Sequence, residues 1–457
     1  MFAKLLIADR GTAALCVLRA CRELGIRTVA AYSEPDRDQG YLRLADESVC
    51  IGPAPPEESY LNVAAVISAA ELTDSEAIHP GSGPLSDDPD FAEAVEASGF
   101  CFVGSSPATL RLAADRPGIR AAVRAFGMLP VPCHEGAPPS TVDDVAALAR
   151  RVGFPVIVKD RTTRGGRAPL IVRSPTTLIL AINQLHARRR PAIGSSAVHI
   201  ERYLEHSRHI QVQVLADGRG HANHLGTRDC SIRHERRPLL AEAPAPDLPS
   251  AGLVDLGRRC VTAAIALGLQ GAATFDFLYE QGRFHFLAVV PNTDPAHAAT
   301  EAVTGVDVVR EQILIAAGEL PVDGIADVVP QGHAVACHVH AEHPFRFVPS
   351  SGRISSWHMP GGPSIRVDSA FGAGSIVRPL GPTLLGSLIA RGEDRAQAIA
   401  RMRGALGEAS VEGIRTNLRL HQGIVDDDGF RRGSVDIGYL DDQIARRYRP
   451  GRHARER

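Results

Sequence analysis

The sequence predicts an α/β protein of two or three packed units whose first unit is a doubly wound parallel sheet. Three observations lead there. Over residues 1–115, short apolar runs (LLIAD, TVAAYS, AIHPG) alternate with amphipathic ones, the pattern of parallel strands with helices between them. Further on, two long strand-like stretches turn back at Asp217-Gly218 and Gln281-Gly282, dipeptides suited to tight hairpins. The length, 457 residues, exceeds what one ordinary core fills.

In order along the chain, LLIAD leads through Asp9-Arg10-Gly11 into an amphipathic helix from Ala13 to Leu24. TVAAYS is a second strand, a helix follows Tyr60, and AIHPG is a strand ending at His79-Pro80-Gly81. Turns at such strand ends place ligand-facing loops on the carboxyl edge of the sheet. The first unit is expected to end near residue 115. Residues 116–203 comprise linker helices and a small α+β lid over about 131–203. Within them, MLPVPCHEGAPPS is a proline-rich connector, Val142–Val152 a helix, FPVIVKD a buried strand carrying Lys159, and RTTRGGRAP a turn. LIVRS returns as a strand, a helix runs from Pro175 to Ala187, and AVHIERYL closes the unit. Residues 204–445 hold both hairpins, a helix from Ser250 to Leu267 and an arginine-bearing helix, and 446–457 form a disordered basic tail.

Composition narrows the class of function. Hydrophobic residues at 44%, charged residues at 22% and a net charge of −2 give no bias towards nucleic acid, membrane or acidic partners. No apolar run reaches the roughly 18 residues of a membrane span, and MFAKLLIADRG leads from a strand into a turn, so the expectation is a cytoplasmic protein. The eight cysteines are scattered without a C-x-x-C pair, as for reduced thiols. Of 50 basic residues only Lys4 and Lys159 are lysines, which singles out Lys159 as a compact ammonium placed for chemistry.

The collinear segments ADRGTAALCVLRACRELGI, ADESVCIGPAP, SYLN, AIHPGSG, GFPVIVK, ERYLE, RHIQVQVLADG, RDCS, EAPAP, TEAVTGVDVVREQ and EGIRTNL resemble the biotin carboxylase subunit of acetyl-CoA and related acyl-CoA carboxylases, an ATP-grasp family. The match runs from Lys4 to about Ile444. It implies a Rossmann-like N-terminal domain, an ATP-grasp lid and a C-terminal domain, with ATP or ADP between the last two. No alanine-methionine-lysine-methionine segment is present, so no covalent biotin is expected on this chain and a separate biotinyl carrier protein would be needed.

By that resemblance, Lys159 and the lid glycines Gly165 and Gly166 face phosphates. Glu201, Tyr203 and Leu204 hold adenine, Leu278, Leu287 and Ile437 form its apolar walls, and His209 and Asp276 complete the nucleotide-binding set. Other positions depart from the family. Two glutamates and an asparagine that hold magnesium there are here Asp276, Ala288 and Val290, so a normal magnesium pair is not expected. The arginine, glutamine and glutamate that bind and deprotonate bicarbonate are Asn292, Asp294 and Ala296. The arginine for enolised biotin is His338, and the tyrosine of the glycine turn is Ser82. The phosphate-side lysine, glutamine, histidine and second lysine are Arg116, Arg233, Arg236 and Pro238. The lid loop Thr162–Pro169 carries β-branched residues and a proline that stiffen a path built for glycine. Arg19, Glu23, Arg366 and Glu408 match homodimer contacts, while Pro363 replaces an aromatic there.

His338-x-His340, with His343 nearby, lacks a carboxylate partner and is expected to be structural. Arg188–Arg190 and Arg233-His234-Glu235-Arg236-Arg237 are expected to be loop charges without a target; they lack the aromatic interleaving of nucleic-acid binders. The leading expectation is a non-catalytic, regulatory or scaffolding homologue that holds carboxylase subunits or a biotinyl carrier. One rival is a repurposed ATP-grasp ligase in which Arg116, Arg164, Arg167, Arg233 and Arg236 stand in for magnesium. The other is a weakly active biotin carboxylase subunit.

Overall fold

The computed structural model describes residues 1–134, 142–160, 170–178, 180–181, 198–235, 237–319, 328–379, 381–433 and 435–447. Five parallel strands open the chain, in the spatial order Glu47–Cys50, Arg27–Tyr32, Lys4–Ile7, Ala77–His79, Cys101–Phe102. Side chains alternate across a strand, so Leu5 and Ile7 point to one layer and Leu6 to the other. The first layer receives Leu15, Leu18 and Cys21 of the helix Gly11–Glu23. The second receives Val66, Phe91 and Val95 from the helices Val63–Leu72 and Pro89–Ala97. Apolar residues on both faces are what a covered parallel sheet requires, and each fully buried Leu, Ile or Phe contributes about 2 kcal/mol.

The lid is a three-stranded antiparallel sheet in which Val156–Asp160 lies between Leu170–Val172 and Val198–Arg202. Lys159 pairs with His199 along this ladder. Leu148 and Ala149 of the helix Val142–Val152 cover the sheet with Val156, Val158, Val172 and Ile200. The helix expected over Pro175–Ala187 is helical at 175–178 and 180–181; its remainder lies outside the described residues. So do the loop 162–169, Arg188–Arg190, Arg236 and the tail from 448 onward.

A nine-stranded sheet carries the rest of the chain. Its order is Ile365–Ser369, Leu384–Gly392, His333–His340, Leu240–Ala243, Ala222–Asp229, Arg208–Asp217, Gln270–Glu280, Arg283–Val290, Leu129–Pro130. Both expected hairpins are in it, and Gln281 and Gly282 have φ of 50° and 79°, the left-handed pair a two-residue turn needs. The passage read as a plain connector is corrected: Leu129–Pro130 is an edge strand, parallel to Arg283–Val290, and the Val131 amide donates to the Phe286 carbonyl at 3.0 Å. Proline is tolerated there because an edge strand has one side without a ladder.

Candidate functional site

Most of the residues expected to face phosphates and metal lie on the strand trio Arg208–Asp217, Gln270–Glu280 and Arg283–Val290. Register pairs Gln211 with Asp276, Asp276 with Ala288, and Thr274 with Val290. Between Asp276 and Phe277 the partner jumps from Ala288 to Phe286, a β-bulge that leaves Leu287 without an opposite number. Arg116, the first residue of the helix Arg116–Arg124, donates to the carbonyl of that bulged Leu287 at 3.1 Å. Leu278 and Leu287 remain half-buried on this surface.

The expected adenine-side residues sit on the segment after the lid strand and on the C-terminal segment. Tyr203 is half-buried and its amide donates to the Pro155 carbonyl at 2.9 Å; Leu204 is buried. The Ile437 amide donates to the Ser207 carbonyl at 2.9 Å, bringing the C-terminal segment against the same strand end. Glu201 is turned to other work, its carboxylate accepting from Arg120 and lying 2.9 Å from His199 Nε2. Lys159 is placed on the lid strand by its backbone pairing, and Gly165 and Gly166 fall outside the described residues.

His209 links the two sides. Its Nδ1 lies 2.9 Å from Arg233 Nη1. A guanidinium can only donate, so Nδ1 accepts and the ring proton sits on Nε2, which faces Asp276 Oδ2 at 3.4 Å. Neither His209 Nε2 nor Asp276 Oδ1, both buried, has a hydrogen-bond partner. Among the described residues no group of three or more His, Cys, Asp or Glu is arranged to hold a metal.

The arginine cluster at 233–237 is also corrected. Its described part folds as a short two-stranded ribbon, Arg233–His234 against Arg237–Pro238, and Arg233 and Arg237 have internal targets. Arg237 donates to Glu342 at 2.8 Å, to His340 Nδ1 at 2.9 Å and to Thr383 at 3.2 Å.

A cleft of about 530 Å³, open to solvent, separates the first helix and the Gly81-Ser82 turn from Asp294, Pro295 and Ser387. The Ser82 amide is fixed by Asp9 Oδ2 at 2.9 Å. Asn292 donates to Ser86 at 2.7 Å, spending its amide on the N-terminal unit, and Ala296 is buried at the N-cap of the helix His297–Thr304. Asp294 accepts from Gln211 at 3.2 Å and from Arg228 at 3.4 Å. Burial alone would raise its pKa, but Arg228 and then the Gln211 hydrogen bond outweigh burial and hold it low. His338 donates to or accepts from Ser387 through Nδ1 at 2.8 Å, and burial depresses its pKa to about 4, so it is neutral at pH 7.

The expected interface residues divide. Arg19 and Arg366 converge within one chain on Asp368, at 3.0 and 2.7 Å, and Arg366 also pairs with Glu301 at 2.8 Å. Glu23 and Glu408 are exposed. Sequence reasoning missed Arg228, Gln211, His297 and Glu301. RDCS and TEAVTGVDVVREQ contain two of them, and the available signal was a charged residue inside an otherwise buried segment.

A Rossmann-like unit, a small lid with a lysine-bearing strand, and a large mixed sheet define an ATP-grasp protein. Family models agree along the chain: residues 1–110 match the biotin carboxylase N-terminal domain, 115–321 the carbamoyl-phosphate synthase L chain ATP binding domain, and 336–442 the biotin carboxylase C-terminal domain. The biotin carboxylase of Allochromatium vinosum is 47% identical over 97% of this chain and 99% of its own length; that of Pseudomonas aeruginosa is 45% identical over the same shares. The biotin carboxylase domain dimer of Hydrogenobacter thermophilus 2-oxoglutarate carboxylase, solved with MgADP, ADP and bicarbonate, superposes with a TM-score of 0.92 at 34% identity, covering 97% of this chain and 98% of that one. This chain belongs to the biotin carboxylase family. Among the described residues no helix is long and apolar enough to cross a membrane.

Proposed function

We propose that this protein keeps the family's nucleotide-binding frame but is severely impaired in carboxylating biotin, and acts as a partner of carboxylase subunits or a biotinyl carrier. The observation that carries this reading is the pairing of Asp276 with Ala288, and of Thr274 with Val290, on the strands where the resemblance places metal ligands. One carboxylate beside a methyl group and an isopropyl group offers no donor set for a metal pair. Two further observations support it. Neutral, buried His338 supplies no permanent charge for an enolate. Asp294, held low by Arg228, is a weak proton acceptor for bicarbonate.

A second reading, a weakly active biotin carboxylase subunit, is favoured by 47% identity across essentially the whole of a protein named biotin carboxylase. Purified chain supplied with ATP, magnesium, bicarbonate and free biotin separates the two. The proposal expects no ADP release above the bicarbonate-free control, whereas bicarbonate- and biotin-dependent ADP release above that control would establish the second reading. ADP binding by calorimetry tests the nucleotide part separately, and binding undiminished in EDTA would point to arginines in place of magnesium.

A further inference from the structure

Cys133, within the proline-rich passage, pairs across an antiparallel bridge with Glu201 of the lid strand Val198–Arg202. The His134 amide donates to the Ile200 carbonyl at 3.0 Å and the Arg202 amide to the Pro132 carbonyl at 2.8 Å, which fixes the two residues opposite each other. Side chains so paired share one face. The helix Arg116–Arg124 adds a third member: Arg120, 3% exposed, donates Nη2 to the Glu201 carboxylate and Nη1 to Cys133 Sγ at 3.0 Å. Nη1 also lies 3.1 Å from His199 Nε2, which is 2.9 Å from Glu201 Oε1. An ionised carboxylate only accepts, so Nε2 carries the proton shared with Glu201 and cannot accept one from Arg120. The sulfur is the acceptor left for the Nη1 edge of the guanidinium.

The other thiols are placed differently. Burial pushes those of Cys16, Cys21, Cys101, Cys230, Cys260 and Cys337 up, which keeps them as S–H groups. Where the structure gives Cys50, Cys101 and Cys230 a hydrogen bond, the thiol donates it, to the carbonyls of Gly52 and Phe102 and to Gln211 Oε1. The Cys133 sulfur instead accepts, from a cation held away from water, and the residue itself is only half-buried. A charged donor favours the charged acceptor, so this contact favours thiolate over thiol, and the thiolate is the nucleophile. Glu201 offsets Arg120 along the Nη2 edge and takes the His199 N–H as well, leaving the Nη1 edge turned to sulfur.

We propose that Cys133, activated by Arg120, is a thiol-modification site that forms a reversible mixed disulfide with a small disulfide. Its Sγ thiolate attacks one sulfur of the reagent, the reagent's S–S bond breaks, and the other half leaves as a thiolate that takes a proton from water, so no further oxidant is needed. The site does not depend on the reading given under Proposed function. The test treats the full folded chain with glutathione disulfide and follows adduct formation at each cysteine by mass spectrometry of peptides. Cys50, exposed and donating to the Gly52 carbonyl, is the reference within the same chain. As pH rises from about 6 to about 8, a thiol with no cation beside it reacts about fiftyfold faster, whereas Cys133 is expected to change only a few-fold and to exceed Cys50 by about tenfold at the acid end. A reducing dithiol should remove the adduct, and Arg120→Gln should restore the steep rise at Cys133 while leaving Cys50 unchanged. No adduct at Cys133, a rise parallel to that of Cys50, or indifference to Arg120→Gln overturns the proposal. The pH profile of the parent chain carries the test alone if Arg120→Gln fails to fold.

Discussion

Arg228 is wholly buried, and its guanidinium reaches Gln211 at 2.6 Å, Gln213 at 2.8 Å, Thr300 at 3.2 Å and Asp294 at 3.4 Å. A cation taken out of water needs this full set of acceptors, and removing it leaves the Gln211 and Gln213 side-chain oxygens buried without their donor and half-buried Asp294 without its cation. Arg228→Met is expected to destabilise the protein by about 3 to 5 kcal/mol in urea denaturation; a loss near zero would show that the network is slack. The second buried ionic knot gives a pH signature. Burial would raise the Glu301 pKa, but His297 and Arg366 outweigh it and lower it from 4.5 to about 2. A carboxyl with a depressed folded-state pKa adds stability that is fully present above pH 4.5 and lost as pH falls towards 2. Glu301→Gln should therefore flatten the acid limb of the stability curve over that window, and an unchanged limb would assign it to other carboxyls. Neither knot was legible as a whole: His297 and Glu301 are four apart on one helix, but Arg366 lies 65 positions beyond Glu301 and Asp294 66 beyond Arg228, and only the fold brings these together.

At the scale of elements, legibility followed locality. The hairpins at Asp217-Gly218 and Gln281-Gly282 could be read because period-two strands and turn dipeptides are written in contiguous residues. Leu129–Pro130 could not, since two residues show no period and their partner strand begins at Arg283, far along the chain. The ribbon at 233–238 escaped for the same reason: its arginines read as loop charges until Glu342 and Thr383 arrive from distant segments. Turn chemistry makes a local prediction in return. Gly282 has φ of 79° with open space around its Cβ position, so Gly282→Ala meets no clash and costs only the left-handed backbone penalty. A melting-derived loss of about 1 to 2 kcal/mol is expected. A neutral result would mean that the hairpin adopts another turn.

Across the whole molecule, the family frame and the chemistry on it are separable. One sheet runs unbroken from Leu129–Pro130 to Ile365–Ser369, joining the strands that carry Asp276 and Ala288 to the strand that carries His338, so the frame rests on backbone ladders and core packing rather than on the site side chains. The frame was legible in the sequence as collinear segments; the use made of the site was not, because the partners of Asp294, His338 and Asn292 come from other strands and loops. If the metal positions alone limit magnesium use, restoring donors there should act without repairing the rest. Ala288→Glu combined with Val290→Asn puts two oxygen donors on the strand facing Asp276. That double variant is expected to bind ADP about tenfold or more tightly with magnesium than in EDTA, against little difference in the parent chain. It should still show no bicarbonate-dependent ATP cleavage, since metal, proton acceptor and enolate charge are distinct requirements and removal of one charge-stabilising group already costs about 3 kcal/mol. Magnesium-dependent binding already present in the parent would show that Asp276 and nucleotide phosphates suffice, and would move the protein towards the working enzyme.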